Sequence, residues 1–199
     1  MTLSATTALG LLASCVFLVR LLPQPIRLVR TGVASGVSPL AALNSMLTMV
    51  AWVSYGLIAG LPLVWVVSLI ALVPGIWTVV LLRREVSRRD LAWAGAWLAL
   101  QVTAALLGLL VAVLAVGVLV TQGPQVLRAA REQDLTGLAA TTWWLSIVDA
   151  VTWGAYGVAV GDAALVAYGV VLSSSAMIVL SRIHLTRRAL PEPAAVVAG

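Results

Sequence analysis

A chain of 199 residues that is 62% hydrophobic and 10% charged, with a mean hydropathy of +1.09, lacks the polar surface a water-soluble domain needs; such domains carry about 25% charged residues. The net charge of +5 comes from twelve arginines, no lysine and seven acids. In a soluble protein this balance would suggest nucleic acid, but here the arginines flank apolar segments, so they read as determinants of membrane topology and lipid head-group contact. No nucleic-acid partner is expected.

One cysteine, Cys15, lies inside an apolar run, which excludes a disulfide within the chain. His184 is the only histidine. No metal-ligand set and no nucleophile–base pair can be assembled from this inventory, so neither a metal, nor a cofactor, nor an enzymatic activity is expected.

In chain order, residues 4–22 form an apolar run long enough to cross a bilayer. It ends at Pro23-Gln24-Pro25, where proline should break or bend a helix. A second span is expected over Pro39–Ile58, bounded by Gly60 and Pro62. A third covers Pro62–Leu82, with Pro74 as an internal kink. RREVSRRD, residues 83–90, reads as a loop. The stretch 91–122 would hold either two crossings with a tight turn or one overlong helix. With two crossings all twelve arginines fall on one side, and the excess of arginine in cytoplasmic loops selects that solution. The fourth span then covers Asp90–Ala104, the fifth Ala105–Thr121, the sixth Leu138–Val160 and the seventh Ala163–Ile183. The amino terminus is expected outside and the carboxyl terminus in the cytoplasm, with a disordered tail over residues 187–199.

One segment occurs twice. PQPIRLVRTGVASGVSPLAALNSMLTMVAWVSYGLIAG begins at Pro23 and PQVLRAAREQDLTGLAATTWWLSIVDAVTWGAYGVAVG at Pro124. In one ungapped register Pro23, Gln24, Gly36, Ser45, Trp52, Tyr55, Gly56 and Gly60 fall on Pro124, Gln125, Gly137, Ser146, Trp153, Tyr156, Gly157 and Gly161. Two copies of a three-span unit, with one span left over as a linker, account for seven.

Within the repeats, Ala41, Ser45, Thr48, Trp52 and Tyr55 recur at helical spacing, as do Thr142, Ser146, Asp149, Trp153 and Tyr156. Two matching polar and aromatic stripes predict a pathway between the copies. Tryptophan stacks on the C–H faces of sugar rings and hydroxyls exchange hydrogen bonds with sugar hydroxyls, so the chemistry suits a neutral polyhydroxylated solute. Trp65, Trp77, Trp93 and Trp97 read as packing or interfacial residues. Asp149 is the one acid well inside a span, and a charge there is a functional candidate; it could take up a proton, accept sugar hydroxyls, or be structural. Asn44 reads as a helix–helix hydrogen bond.

The pattern PQ, a basic residue, SGVSPL and AWVSYG, with a diverged second copy PQ…LTGLA…VTWGAYG, resembles the SWEET and SemiSWEET sugar transporters of the PQ-loop superfamily, over residues 5–185. The resemblance implies an all-α membrane protein with two parallel triple-helix bundles joined by a linker helix: residues 1–84, a linker over 85–104, and residues 105–186. It implies uniport of mono- or disaccharides across the cell membrane by alternating access. Pro23, Gln24, Pro124 and Gln125 would be hinges, and Trp52 and Trp153 would be pocket residues. The family's pocket asparagines fall here on Ser68 and Gly169, with Tyr168, Ser173, Ser174 and Ser175 nearby. The expected site is Trp52, Trp153, Ser68, Gly169, Thr48, Asp149, Ser45 and Ser146, with Tyr55 and Tyr156 either closing the outer mouth or sitting at the head-group level. Two alternatives stand beside it: a proton-coupled carrier of a small amino-acid-like solute using Asp149, as in cystinosin-like relatives, and a non-transporting membrane receptor or scaffold. The expected partners are the solute and the lipid bilayer; an oligomer is allowed but not required.

Overall fold

A computed structural model describes residues 4–189, and among these every regular element is a helix. The elements are α1 (Ala5–Leu21), α2 (Pro23–Thr31), α3 (Pro39–Ile58), α4 (Pro62–Leu81), α5 (Arg88–Leu106), α6 (Leu110–Arg131), α7 (Ala140–Val160) and α8 (Ala163–Ala189). Five stretches are long and apolar enough to cross a membrane: Ala5–Thr31, Pro39–Ile58, Pro62–Leu81, Leu110–Arg131 and Ala163–Thr186. α5 and α7, with 19 and 21 residues, are about 30 Å long at ~1.5 Å per residue but carry more polar side chains. Large apolar residues such as Leu12, Val73, Leu106 and Val158 stand on the outside, the surface of a membrane protein rather than of one facing water.

The prolines act locally as their chemistry requires. α1 and α2 meet at Leu22, where Pro23 cannot donate to the Val19 carbonyl; the Leu22 N–H takes it instead at 3.3 Å. α6, by contrast, runs unbroken through Pro124, about ten residues beyond the end expected at Thr121. The carbonyl that Pro124 leaves without its helical donor is Val120 O. The Asn44 side chain donates to it from α3 at 3.2 Å, so the helix–helix bond expected of Asn44 has a definite purpose.

The 91–122 stretch is two helices. α5 ends at Leu106 and α6 starts at Leu110. Gly108 adopts φ +71°, and the Leu109 N–H reaches back to Ala104 O at 2.7 Å, a Schellman-type reversal that needs glycine at the left-handed position. α8 extends to Ala189, into the stretch expected as a disordered tail; the remainder of that stretch lies outside the described residues.

Packing follows the repeat. α4 touches both α1 and α3, and α8 touches both α6 and α7; across the molecule α1 lies against α7 and α3 against α6, while α5 lies on α3 and α6. Gly56 and Gly157 explain one repeated pair. A Cβ on Gly56 would stand 2.7 Å from Trp65 N, and one on Gly157 would stand 2.9 Å from Val166 N. Each glycine therefore lets the following helix close in, α4 on α3 and α8 on α7. Two apolar cores result: one around Trp52, Val64, Leu114, Trp153 and Leu165, the other around Leu28, Leu82, Ala129, Trp143 and Val179.

Candidate solute site

The two Pro-Gln motifs come together at one end of the molecule. Gln24 donates from Nε2 to Gly137 O at 3.1 Å and accepts from Ala139 N at 3.0 Å. Gln125 donates from Nε2 to Gly36 O and accepts from Ser38 N, both at 2.7 Å. Gly137 and Ala139 are the repeat equivalents of Gly36 and Ser38, so each glutamine grips the opposite copy's loop through the same two backbone groups. The loops also touch directly: Gly137 N donates to Ser35 O at 3.0 Å, and a Cβ on Gly137 would stand 2.4 Å from that oxygen. Arg27 adds a guanidinium bond to Thr136 O. The glutamines are ties across the interface; only Pro23 lies at a helix break.

The other end carries the aromatic pairs. Trp52 and Tyr55 meet edge-to-face with centroids 5.7 Å apart, and Trp153 and Tyr156 repeat the arrangement at 5.6 Å. The Tyr55 hydroxyl donates to Asp162 Oδ2 at 2.5 Å, tying α3 to the α7–α8 junction. Tyr156 is buried over Gly10 of α1.

Two cavities lie between these ends. The first, about 30 Å³, is lined by Trp52, Trp153, Ser68, Phe17 and Tyr168. The second, about 130 Å³, includes Ser45, Ser146, Thr142, Trp143 and both motif glutamines in its wall. The first has room for a water or two, at ~10–15 Å³ each, and is too small for a sugar ring. Ties between the two copies stand on either side of the indole pair.

Most of the expected site residues gather here. Trp52, Trp153 and Ser68 share the first cavity; Ser45 and Ser146 share the second. Two do not. Thr48 turns to α5: its Oγ1 accepts from Trp97 Nε1 at 2.9 Å and Gln101 Nε2 at 3.0 Å and donates to Asn44 O, and it lines neither cavity. Gly169 packs α8 against α7, where a Cβ would stand 2.6 Å from Ala150 O. Its neighbour Tyr168 faces the first cavity, as does Leu165 of the same helix. Ser173 is half-buried and Ser174 exposed, and both bond Val170 O. Trp97 is a buried packing residue that also donates a hydrogen bond.

Between the cavities lies a charged cluster. Asp149 is fully buried, and its Oδ2 sits 3.0 Å from Arg20 Nε. The Tyr168 hydroxyl donates to the same oxygen at 2.6 Å and accepts from Arg20 Nη2 at 3.2 Å. Arg20 borders the second cavity and Tyr168 the first. Arg20, grouped with the topology arginines in the sequence, is instead the buried counter-ion of Asp149. Its position beside the first Pro-Gln motif concealed this; a guanidinium ahead of the break, within an apolar run, was the available signal. Asp149 Oδ1, Thr142 Oγ1 and Trp143 Nε1 are buried without a protein partner, so the interior retains free hydrogen-bonding capacity.

The cluster breaks the two-fold pattern. The repeat equivalents of Arg20, Asp149 and Tyr168 are Thr121, Thr48 and Val67, and Thr48 is served by α5 instead. Comparison with family models, curated proteins and solved structures found no match.

Proposed function

We propose that the chain is an alternating-access carrier of the cell membrane that passes mono- or disaccharides by facilitated diffusion. The observation that carries this reading is the indole pair. Trp52 and Trp153 come from equivalent places in the two copies, yet line one cavity with the Ser68 hydroxyl. α1, α3 and α4 form one triple-helix bundle, α6, α7 and α8 its parallel twin, and α5 the linker, giving seven crossings. The arginine-rich loops set the Pro-Gln end in the cytoplasm and the amino terminus outside.

A sugar would stack between the indoles and hydrogen-bond to Ser68 and Tyr168. Entry from the cytoplasm requires the Gln24 and Gln125 ties to release; entry from outside requires the Tyr55–Asp162 tie to release. Opening one end while the other stays tied is alternating access, and two separate sets of ties at opposite ends support it. The test is counterflow of labelled glucose or sucrose in proteoliposomes without a pH gradient. Flux that disappears in Trp52→Ala and Trp153→Ala supports the reading; absence of flux with the intact protein overturns it.

A second reading is favoured by the Arg20–Asp149–Tyr168 cluster: a proton-coupled carrier of a small amino-acid-like solute. A zwitterion could exchange its carboxylate and ammonium groups with the pair without leaving a charge bare in low dielectric. Protonation of Asp149 would free Arg20 for a solute carboxylate. Uptake driven by a proton gradient and lost in Asp149→Asn supports this reading; uptake unchanged in that variant rejects it.

A further inference from the structure

At the Pro-Gln end, outside the solute route, a third cavity of about 490 Å³ opens between the starts of α3 and α5 and the end of α6. Three arginines line it: Arg89 from α5, and Arg128 and Arg131 from α6. Two acids line it as well, but both are engaged. Asp90 accepts from Ser87 N at 2.9 Å and Ser87 Oγ at 2.7 Å in a capping box. Glu132 pairs with Arg128 Nε at 2.7 Å and accepts from Gly36 N at 3.1 Å. Arg89 and Arg131 have no acid within ion-pair distance among the described residues. The wall thus carries three guanidinium groups against two carboxylates, an excess of one positive charge, and the two arginines free of an ion pair among the described residues, Arg89 and Arg131, stand on different helices.

Two apolar residues of the wall face outward. Trp93 is 58% exposed and Leu127 55% exposed, and both line the cavity. An exposed indole one turn into a helix marks the head-group level of a bilayer, and Leu127 continues onto the lipid-facing surface. A site with cationic groups above and an apolar wall below fits an amphiphile better than a free anion.

We propose that this cavity binds the head group of an anionic glycerophospholipid, with the phosphodiester on Arg89 and Arg131 and an acyl chain along Trp93 and Leu127. Arginine suits this role because its planar fork meets two phosphate oxygens at once. Ser38 forms part of the wall, and its N–H is one of the groups held by Gln125. A lipid seated here therefore abuts the tie that closes the Pro-Gln end.

The test is thermal unfolding of the full chain in dodecylmaltoside with added phosphatidylglycerol, phosphatidylcholine or glycerol phosphate. Phosphatidylglycerol at a hundredfold excess over its dissociation constant should raise Tm by about 5–10 °C, and phosphatidylcholine and glycerol phosphate should not. The Arg89→Gln/Arg131→Gln variant should fold with an unchanged basal Tm and lose the shift. Arg83→Gln/Arg84→Gln, exposed arginines outside the cavity wall, should keep it. An equal shift with glycerol phosphate would make this a soluble-anion site and overturn the lipid assignment. So would an equal shift with phosphatidylcholine, retention of the shift in the Arg89/Arg131 variant, or its loss in the Arg83/Arg84 variant. None of these outcomes depends on the transported solute.

Discussion

Replacing Asp149 by asparagine removes the charge that balances Arg20 and changes little else in shape. The pair is desolvated: side-chain exposures are 11% for Arg20 and 0% for Asp149, at 3.0 Å separation. Removing one partner of a buried ion pair leaves the other uncompensated and costs about 3–5 kcal/mol. For a protein of this size that lowers Tm by roughly 6–20 °C. Arg20→Met should cost a similar amount, because it strands the carboxylate. The joint variant Arg20→Met/Asp149→Leu should recover most of the loss, since exchanging a whole buried pair for apolar residues is near neutral. With Asp149→Leu as the matching single variant, the double-mutant cycle then gives a coupling of several kcal/mol. The eight tryptophans make intrinsic fluorescence a sufficient probe of unfolding in detergent. Single variants within about 1 kcal/mol of the parent, or a joint variant that loses the sum of the two, would refute a coupled buried pair.

The remaining predictions concern the ties and the helix contacts. Asn44→Leu should destabilise by about 1–3 kcal/mol by leaving the Val120 carbonyl without a donor; restoring the backbone donor with Pro124→Ala should recover much of that in denaturant titrations. Gln24→Ala and Gln125→Ala should each loosen the Pro-Gln end. A cysteine placed at Ser146 in a Cys15→Ser background should then react with a water-soluble thiol reagent at least tenfold faster, for a tie worth about 1.4 kcal/mol or more. Gly137→Ala should have the same direction of effect, because its Cβ would push against the Ser35 backbone. Trp97→Phe should cost about 1 kcal/mol through its hydrogen bond to Thr48, with cavity accessibility unchanged.

Much of this organisation was legible because duplicated residues do duplicated work. The glutamines tie opposite loops, the Trp–Tyr pairs adopt one geometry twice, and Gly56 and Gly157 admit the same neighbouring helix. The residues that escaped the sequence are those without a repeat equivalent of the same type. Arg20 pairs across the chain with Asp149, an acid the stripe singled out, but no local pattern links the two. Thr48 sits about 40° from Trp52 around α3, at ~100° per residue, close enough to share its stripe on paper. α5 occupies that side, and a helix with no counterpart in either copy gives no hint of where it docks. The reading of Gly169 missed the cavity by one residue, since Tyr168 lies about 100° away on α8 and faces the tryptophans. α6 ran past its expected end because a side chain from another helix satisfies the carbonyl its proline frees.

The most direct measurement locks the Tyr55–Asp162 end and follows sugar. In a Cys15→Ser background, Tyr55→Cys and Asp162→Cys can be bridged by a short reducible bis-thiosulfonate, and counterflow of labelled glucose followed in proteoliposomes. Flux should stop on bridging and return on reduction, while either single cysteine should transport before and after the reagent. Glucose flux that continues with the bridge in place would contradict a route that opens between the two copies at this end.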